Sequence, residues 1–167
     1  MSKYLITGRQ GSGKTTVIKE LQKRGYTAYN TDDLSEVTKL QDISTGEVIA
    51  WPEGELVDWE KYAWNWQKDA LLKLLGSDKN VFVGAVTSNQ EQFYPSFNKV
   101  FALMLSPNNL RSRLEQHEHE SHQIPGQIDR WVANHETKQQ RFLKAGAVFI
   151  DANKSIDEVV DQILANL

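Results

Sequence analysis

Gly8-Arg9-Gln10-Gly11-Ser12-Gly13-Lys14-Thr15 is the stretch that decides how the rest of the chain is read. The apolar run Tyr4–Thr7 before it has the length of a buried strand. The helix formers of Lys14–Lys23 after it run on to Gly25, which is placed to stop them. Gly-x-x-x-x-Gly-Lys-Thr between a strand and a helix is a phosphate loop. Its small residues let successive backbone N–H groups turn inward around phosphate oxygens, and the helix N-terminus adds free N–H groups and a positive dipole end. In such a loop Lys14 reaches the β- and γ-phosphates and the Thr15 hydroxyl takes a place on Mg2+. The expected nucleotide-binding residues are therefore Gly8, Gly11, Ser12, Gly13, Lys14, Thr15 and Thr16, with ATP and Mg2+ as ligands. A random chain of this length matches the pattern only roughly once in two hundred, and the flanking strand and helix lower that further.

Outward from the loop, Thr27–Asn30 reads as a second short strand, and Asp32 to Trp51 as polar and irregular, with a turn at Ser44-Thr45-Gly46. From Glu53 to Leu75, residues Leu56, Trp59, Tyr62, Ala63, Trp66, Ala70 and Leu74 recur at helical spacing, which predicts a helix closed by Gly76 with Trp59 and Trp66 on its core face. Val81–Val86 and Val100–Leu105 are continuous apolar runs suited to strands covered on both faces. Ser106-Pro107 opens a helix as N-cap and first-turn proline. Ile128–Lys144 reads as one more helical segment, Ala147–Ile150 as a strand, and Ser155–Leu167 as a last helix with Ser155 and Glu158 as a capping box. Alternating strands and helices predict an α/β doubly wound parallel sheet with helices on both faces. The whole of 1–167 is expected to form one domain, with a lid insertion at about 116–127.

Bulk composition narrows the function. The formal net charge is −3, so the basic surface that nucleic-acid binding demands is not expected. There is no cysteine, which excludes disulfides, thiolate metal sites and thiol nucleophiles. The apolar runs are strand-sized, and the chain opens directly into Lys3–Ile6, so neither a membrane span nor a secretory leader is expected. A cytoplasmic monomer or homodimer is the expectation.

Within the phosphate-loop proteins, guanine readers carry Asn-Lys-x-Asp, whereas Asn98-Lys99-Val100-Phe101 lacks the acid. The third strand, Val81-Phe82-Val83-Gly84-Ala85, does not end in a magnesium-organising aspartate, so an outer-shell carboxylate must come from elsewhere. Asn30-Thr31-Asp32-Asp33 is the obvious supplier. At these residues the chain resembles the small-molecule and nucleotide kinases of the adenylate kinase and shikimate kinase group. The likeness extends over Gly84, Arg111-Ser112-Arg113-Leu114 and Phe149-Ile150-Asp151-Ala152, and is nearest a poorly characterised subset with a Trp-rich helix before the third strand and an asparagine, here Asn89, after it.

The resemblance implies five parallel strands ordered 2-3-1-4-5 and transfer of the γ-phosphate of ATP to a small acceptor. It implies Asp32 for the acceptor hydroxyl and Asp33 for magnesium, or the reverse. It also implies a lid cation, Arg113, with Arg111 or Arg130 as second choice. Lys14, Asp32 and Arg113 are thus the expected catalytic residues, and Thr15 and Asp33 the expected metal holders. Two departures stand out: Asn30 replaces the first acid of the pair, and His117 occupies the place of a second lid arginine. They favour the competing expectation, a nucleotide-binding or slow ATPase module that regulates without transfer. The structural alternative for Asp32 and Asp33 is an ordinary turn or a helix N-cap. Trp51 and Trp64 are candidates to stack on an acceptor ring, and the absence of arginine between Arg24 and Arg111 leans towards a neutral or aromatic acceptor. The run His117, Glu118, His119, Glu120 and His122 lacks zinc-protease spacing and reads as a solvated lid.

Overall fold

A six-residue apolar strand that is buried along nearly its whole length has to lie in the middle of a sheet, and β1 (Lys3–Gly8) does. The computed structural model describes residues 1–52, 57–76, 80–116 and 125–167. Strand β1 pairs in parallel with β6 (Val81–Gly84) on one side and β7 (Lys99–Met104) on the other. Next to these lie β2 (Thr27–Asn30) and β8 (Val148–Asp151), which gives the order β2-β6-β1-β7-β8. Ranked along the parallel sheet, this is the expected 2-3-1-4-5. The register places Ile6 beside Gly84 and Gly8 beside Leu103, so the C-terminal ends of the central strands open at one edge.

Alternation along β1 feeds two cores. Ile6 points into one with Ile18 and Leu21 of α1 (Lys14–Lys23), Leu110 of α3 (Pro107–Gln116) and Ile163 of α6 (Ile156–Ala165). Leu5 points into the other with Leu71 of α2 (Lys68–Leu75) and Phe142 of α5 (His135–Lys144). Fully burying each such side chain contributes about 1.5–3 kcal/mol. Helix α1 lies directly on β6: a Cβ at Gly84 would sit 2.6 Å from Ile18 Cγ1, closer than any real contact allows. The expected capping box forms, with the Ser155 hydroxyl accepting from the Glu158 amide and Glu158 reaching back to Ser155.

Three expectations are corrected. The segment read as irregular after Asp32 contains β3 (Thr38–Asp42) and the short β4 (Val48–Ile49), joined by a turn in which Asp42 accepts from the Ser44 and Thr45 amides. The segment read as helix contains a strand, β5 (Tyr62–Trp66), antiparallel to β3 and completing a second sheet ordered β4-β3-β5; helix begins only at Lys68. Aromatic residues at Tyr62, Trp64 and Trp66 alternate with Ala63 and Asn65, a strand period that the wider helical spacing hides. Residues 53–56 of that segment lie outside the described residues. Finally, Ile128–Lys144 is two helices, α4 (Gln127–Ala133) and α5, with a break at Asn134. No helix among the described residues is long and apolar enough to cross a membrane.

Candidate active site

The phosphate loop leaves the C-terminal end of β1 and enters α1 at Gly13, whose φ of 97° is a conformation that residues with a side chain rarely adopt. A Cβ on Gly8 would meet Ser12 Oγ at 2.7 Å and the Leu103 carbonyl at 2.9 Å, so the loop closes only with glycine there. Lys14 lies inside the ring: its ammonium donates to the carbonyls of Gly8, at 2.9 Å, and Arg9, at 3.2 Å. Burial lowers its pKa to about 8, against the pull of Asp32 and with the push of Arg9. The hydroxyls of Thr15 and Thr16 belong to exposed residues on the first turn of α1.

A cavity of about 1330 Å3 opens over the loop. Single-ligand sites run about 300–1,000 Å3, so this one has room for a donor and an acceptor together. Gly11, Ser12, Gly13, Lys14, Thr15 and Thr16 line it, and so do Asp32, Asp33 and Arg113. Gly8 lies beneath the lining, where its carbonyl holds Lys14. Among the described residues, five buried side-chain polar atoms have no hydrogen-bond partner, and three of them, Arg9 Nε, Ser12 Oγ and Asn30 Oδ1, belong to residues of this lining. Buried polar groups without partners are costly, and ligand sites are where they collect.

The second sheet brings Trp64 to the cavity and holds the Thr31–Asp33 turn. The Trp66 indole N–H donates to Thr31 Oγ1 at 2.9 Å, Thr38 Oγ1 donates to the Thr31 carbonyl, and the Trp64 indole N–H donates to Asp32 Oδ1 at 2.9 Å. Asn89 binds both the amide and the carbonyl of Trp66 and so locks β5 to the end of β6. Thr31–Asp33 form a single 3-10 turn with no side-chain cap, so of the two structural alternatives the turn is present and the N-cap is not. Burial raises the Asp32 pKa, while the Trp64 bond and Lys14 draw it down and Asp33 adds to the rise. Asp33 accepts from Asn30 Nδ2 at 3.0 Å. Asn30, which stands in place of the first acid of the expected pair, therefore holds Asp33, while Asp32 is held by Trp64.

Among the tryptophans, Trp66 is core as expected, packed edge-on to Phe93, but Trp59 is 57% exposed and lines the cavity with Trp64. Trp51 does not line it; its ring stands at 88° to Trp64 and 63° to Trp59.

Arg113 is not a free cation. Its guanidinium donates to the carbonyls of Ser12, at 3.0 Å, Gly11, at 3.4 Å, and Ala152, at 2.7 Å, and burial lowers its pKa. A side chain engaged by three backbone carbonyls tethers α3 and the end of β8 to the loop, which suits poorly the expected swing onto a γ-phosphate. Arg111 pairs with Asp129 and Glu115 on the surface, and neither Arg111 nor Arg130 lines the cavity. Residues 117–124, which carry the His/Glu run and most of the expected lid, lie outside the described residues.

Cations that sequence reasoning left unassigned take the place over the loop. His135, Gln139 and Phe142 form the buried face of α5, and the His135 Nε2–H and Gln139 both bind the Leu105 carbonyl at the end of β7. That anchorage turns Lys138 and Arg141 to the cavity, where Arg9 also stands. Burial and the charge of Arg9 together lower the Lys138 pKa. Arg141 is paired with Glu91 at 2.7 Å, whereas Arg9 and Lys138 form no ion pair among the described residues. The signal was present, since Arg9 lies inside the loop itself, but Lys138 becomes legible only once the break at Asn134 resets the helical phase.

Residues 5–140 match the AAA domain family. No curated protein matches significantly in sequence. Among solved structures, a shikimate kinase from Bacteroides thetaiotaomicron aligns with a TM-score of 0.61 at 16% identity over 99% of both chains. A deoxyadenosine kinase from M. mycoides with bound dATP aligns at 0.59 and 14%, over 98% of both chains. A gluconokinase from Sinorhizobium meliloti 1021 aligns at 0.53 and 19%, over 98% of this chain and 90% of that one. At such identities the likeness is one of fold, and the fold is that of the small P-loop kinases.

Proposed function

The chain belongs to the AAA domain family, and from that premise we propose that it is a cytoplasmic, ATP-dependent phosphotransferase that moves the γ-phosphate of ATP to a hydroxyl of a small metabolite, nucleoside or nucleotide. The observation that carries this reading is the pairing of a phosphate cradle with a carboxylate across one cavity. Lys14 and Asp32 are close enough that each moves the pKa of the other. The acceptor oxygen attacks the γ-phosphorus, the bond from that phosphorus to the β–γ bridging oxygen breaks, ADP leaves, and the hydroxyl proton passes to Asp32. Phosphoryl transfer otherwise asks for positioning and positive charge. Lys14 supplies both, and Arg9 and Lys138 share the cavity with it.

Hard oxygen donors at Thr15 and Asp33, both on the cavity, fit a Mg2+ ion that keeps several waters and takes its other ligands from phosphate. Bound there, the ion would neutralise charge on the β- and γ-phosphates. Arg113 and Ala152 fall on the nucleotide side, where they brace the loop.

A screen of ADP release tests the reading, with pooled nucleosides, nucleotides, sugars and hydroxy acids as acceptors. Turnover that depends on an acceptor supports it; tight ATP binding with no such turnover from any pool replaces it with the regulatory binding module. The two unpaired cations give a sharper expectation. Arg9→Met lowers kcat on the order of 10²-fold, the usual cost of one lost donor to transition-state charge, and shifts ATP affinity only a few-fold. Lys138→Met behaves alike. Normal kcat in both variants would remove these cations from the transfer step.

A further inference from the structure

Trp59 and Trp51 are 57% and 53% exposed, although large aromatic side chains normally gain by burial. Both belong to one cluster with Trp64: Trp51 stands edge-on to Trp64 at 5.5 Å and to Trp59 at 6.2 Å. Trp64 cannot turn freely, because its indole N–H is held on Asp32 Oδ1. The cluster is thus a braced aromatic wall, of which Trp59 and Trp64 face the cavity beside Asp32. The Ser88 amide donates to the Trp64 carbonyl, so Val86, Thr87 and Ser88 continue the lining beside this wall, and the Arg141 charge is paired with Glu91.

From this arrangement we infer that the acceptor carries a planar conjugated ring, stacked on the Trp59–Trp64 wall, and a hydroxyl on that ring or on a group attached to it, placed at Asp32. The inference rests on the phosphotransferase reading and adds the substrate class. A flat ring recovers the aromatic area that Trp59 leaves exposed, and a braced indole loses little conformational freedom in binding it. The bond from Trp64 occupies one oxygen of Asp32 and leaves Oδ2 to receive the acceptor proton. Transfer then runs as above: the acceptor oxygen bonds to the γ-phosphorus as ADP departs and its proton passes to Asp32. Trp64 is accordingly a positioning residue for Asp32 as well as part of the wall.

The test compares adenosine, thymidine and 4-pyridinemethanol with glycerol, D-gluconate and L-homoserine as acceptors for the full chain, at saturating ATP and Mg2+. Acceptor-dependent ADP release is expected from at least one of the planar compounds. Its KM should rise tenfold or more in Trp59→Ala, with ATP affinity and melting temperature unchanged, and Trp59→Phe should restore most of it. Trp64→Phe, which keeps a ring and loses the N–H, should lower kcat more than it raises KM. Turnover confined to the three non-planar compounds overturns the inference, as does a planar acceptor whose KM ignores Trp59→Ala. A chain that turns over none of the six, nor any pool of the acceptor screen, overturns the kinase reading instead. The ring site is then judged by saturation-transfer NMR with adenosine and the ATP-analogue complex. Transfer to the base protons that is lost in Trp59→Ala upholds it, and no transfer in the unmutated protein ends it.

Discussion

Lys14→Ala should weaken binding of ATP and Mg2+ by roughly 10²–10⁴-fold and leave no measurable transfer. The ammonium is buried within the loop and makes two charge-assisted hydrogen bonds, to the carbonyls of Gly8 and Arg9. Phosphate oxygens would exchange for those carbonyls, and hydrogen bonds to a charged group contribute about 1.5–3 kcal/mol each, so losing two of them accounts for the estimate at about 1.4 kcal/mol per tenfold. The fold should survive. Burial lowers the Lys14 pKa from 10.5 to about 8, so the folded protein binds this proton less tightly than the unfolded chain does. The group therefore opposes folding below pH 8, and that opposition fades as pH rises from 8 towards 10.5.

The same shift makes a second signature. Phosphates beside Lys14 favour its charged form, so ATP binding above pH 8 takes up a proton and its affinity falls as pH climbs. Calorimetry at pH 8.5 in two buffers of different ionisation enthalpy should show that uptake. A folded Lys14→Ala protein with unchanged ATP affinity would end the assignment of the loop.

How far the sequence carries is uneven, and the reasons are physical. The loop was legible because its chemistry is local: glycines at fixed spacing and a lysine one residue on determine the cradle whatever packs around it. The parallel sheet was legible because Val81–Gly84 and Lys99–Met104 are apolar on both faces. The 53–75 segment misled because Trp59, Tyr62, Ala63 and Trp66 satisfy a helical period while Tyr62, Trp64 and Trp66 satisfy a strand period. The partner that decides between them is β3, some 25 residues earlier: Leu40 pairs with Trp64 and Thr38 with Trp66.

The burial of Trp66 was read correctly on the wrong element. The exposure of Trp59 could not be read at all, since it lies in the turn before β5 rather than on a helix face. The cations over the loop were missed for a related reason. The long span without arginine between Arg24 and Arg111 bears on the acceptor wall, whereas Arg9 and Lys138 reach the cavity from the loop and from α5. Asp32 was found by its place after β2, but the partner that holds it, Trp64, is 32 residues away and on a strand that the sequence did not declare.

Asp32→Asn follows from that partner. The substitution keeps an oxygen for the Trp64 indole N–H and keeps the shape of the turn, so what it removes is the capacity to take a proton. General-base catalysis contributes roughly 10²–10⁴-fold, and kcat should fall by that factor with ATP affinity unchanged within a few-fold. Stability should move the other way or not at all. Burial raises the Asp32 pKa in the folded protein, so the carboxylate form is disfavoured by folding above its unfolded pKa, and a neutral amide relieves that cost. A melting temperature equal to or above that of the parent protein is expected, where loss of a helix cap would lower it by about 1 kcal/mol of stability. The pH dependence carries the same sign: the base works only when ionised, so transfer in the parent protein should fall as pH drops through the raised Asp32 pKa. That acid limb should be missing from the residual activity of Asp32→Asn. Initial rates from pH 4.5 to 8 and a melting curve of each protein decide it. A variant that melts lower but turns over normally would make Asp32 a structural residue and move the acceptor site off the β2 turn.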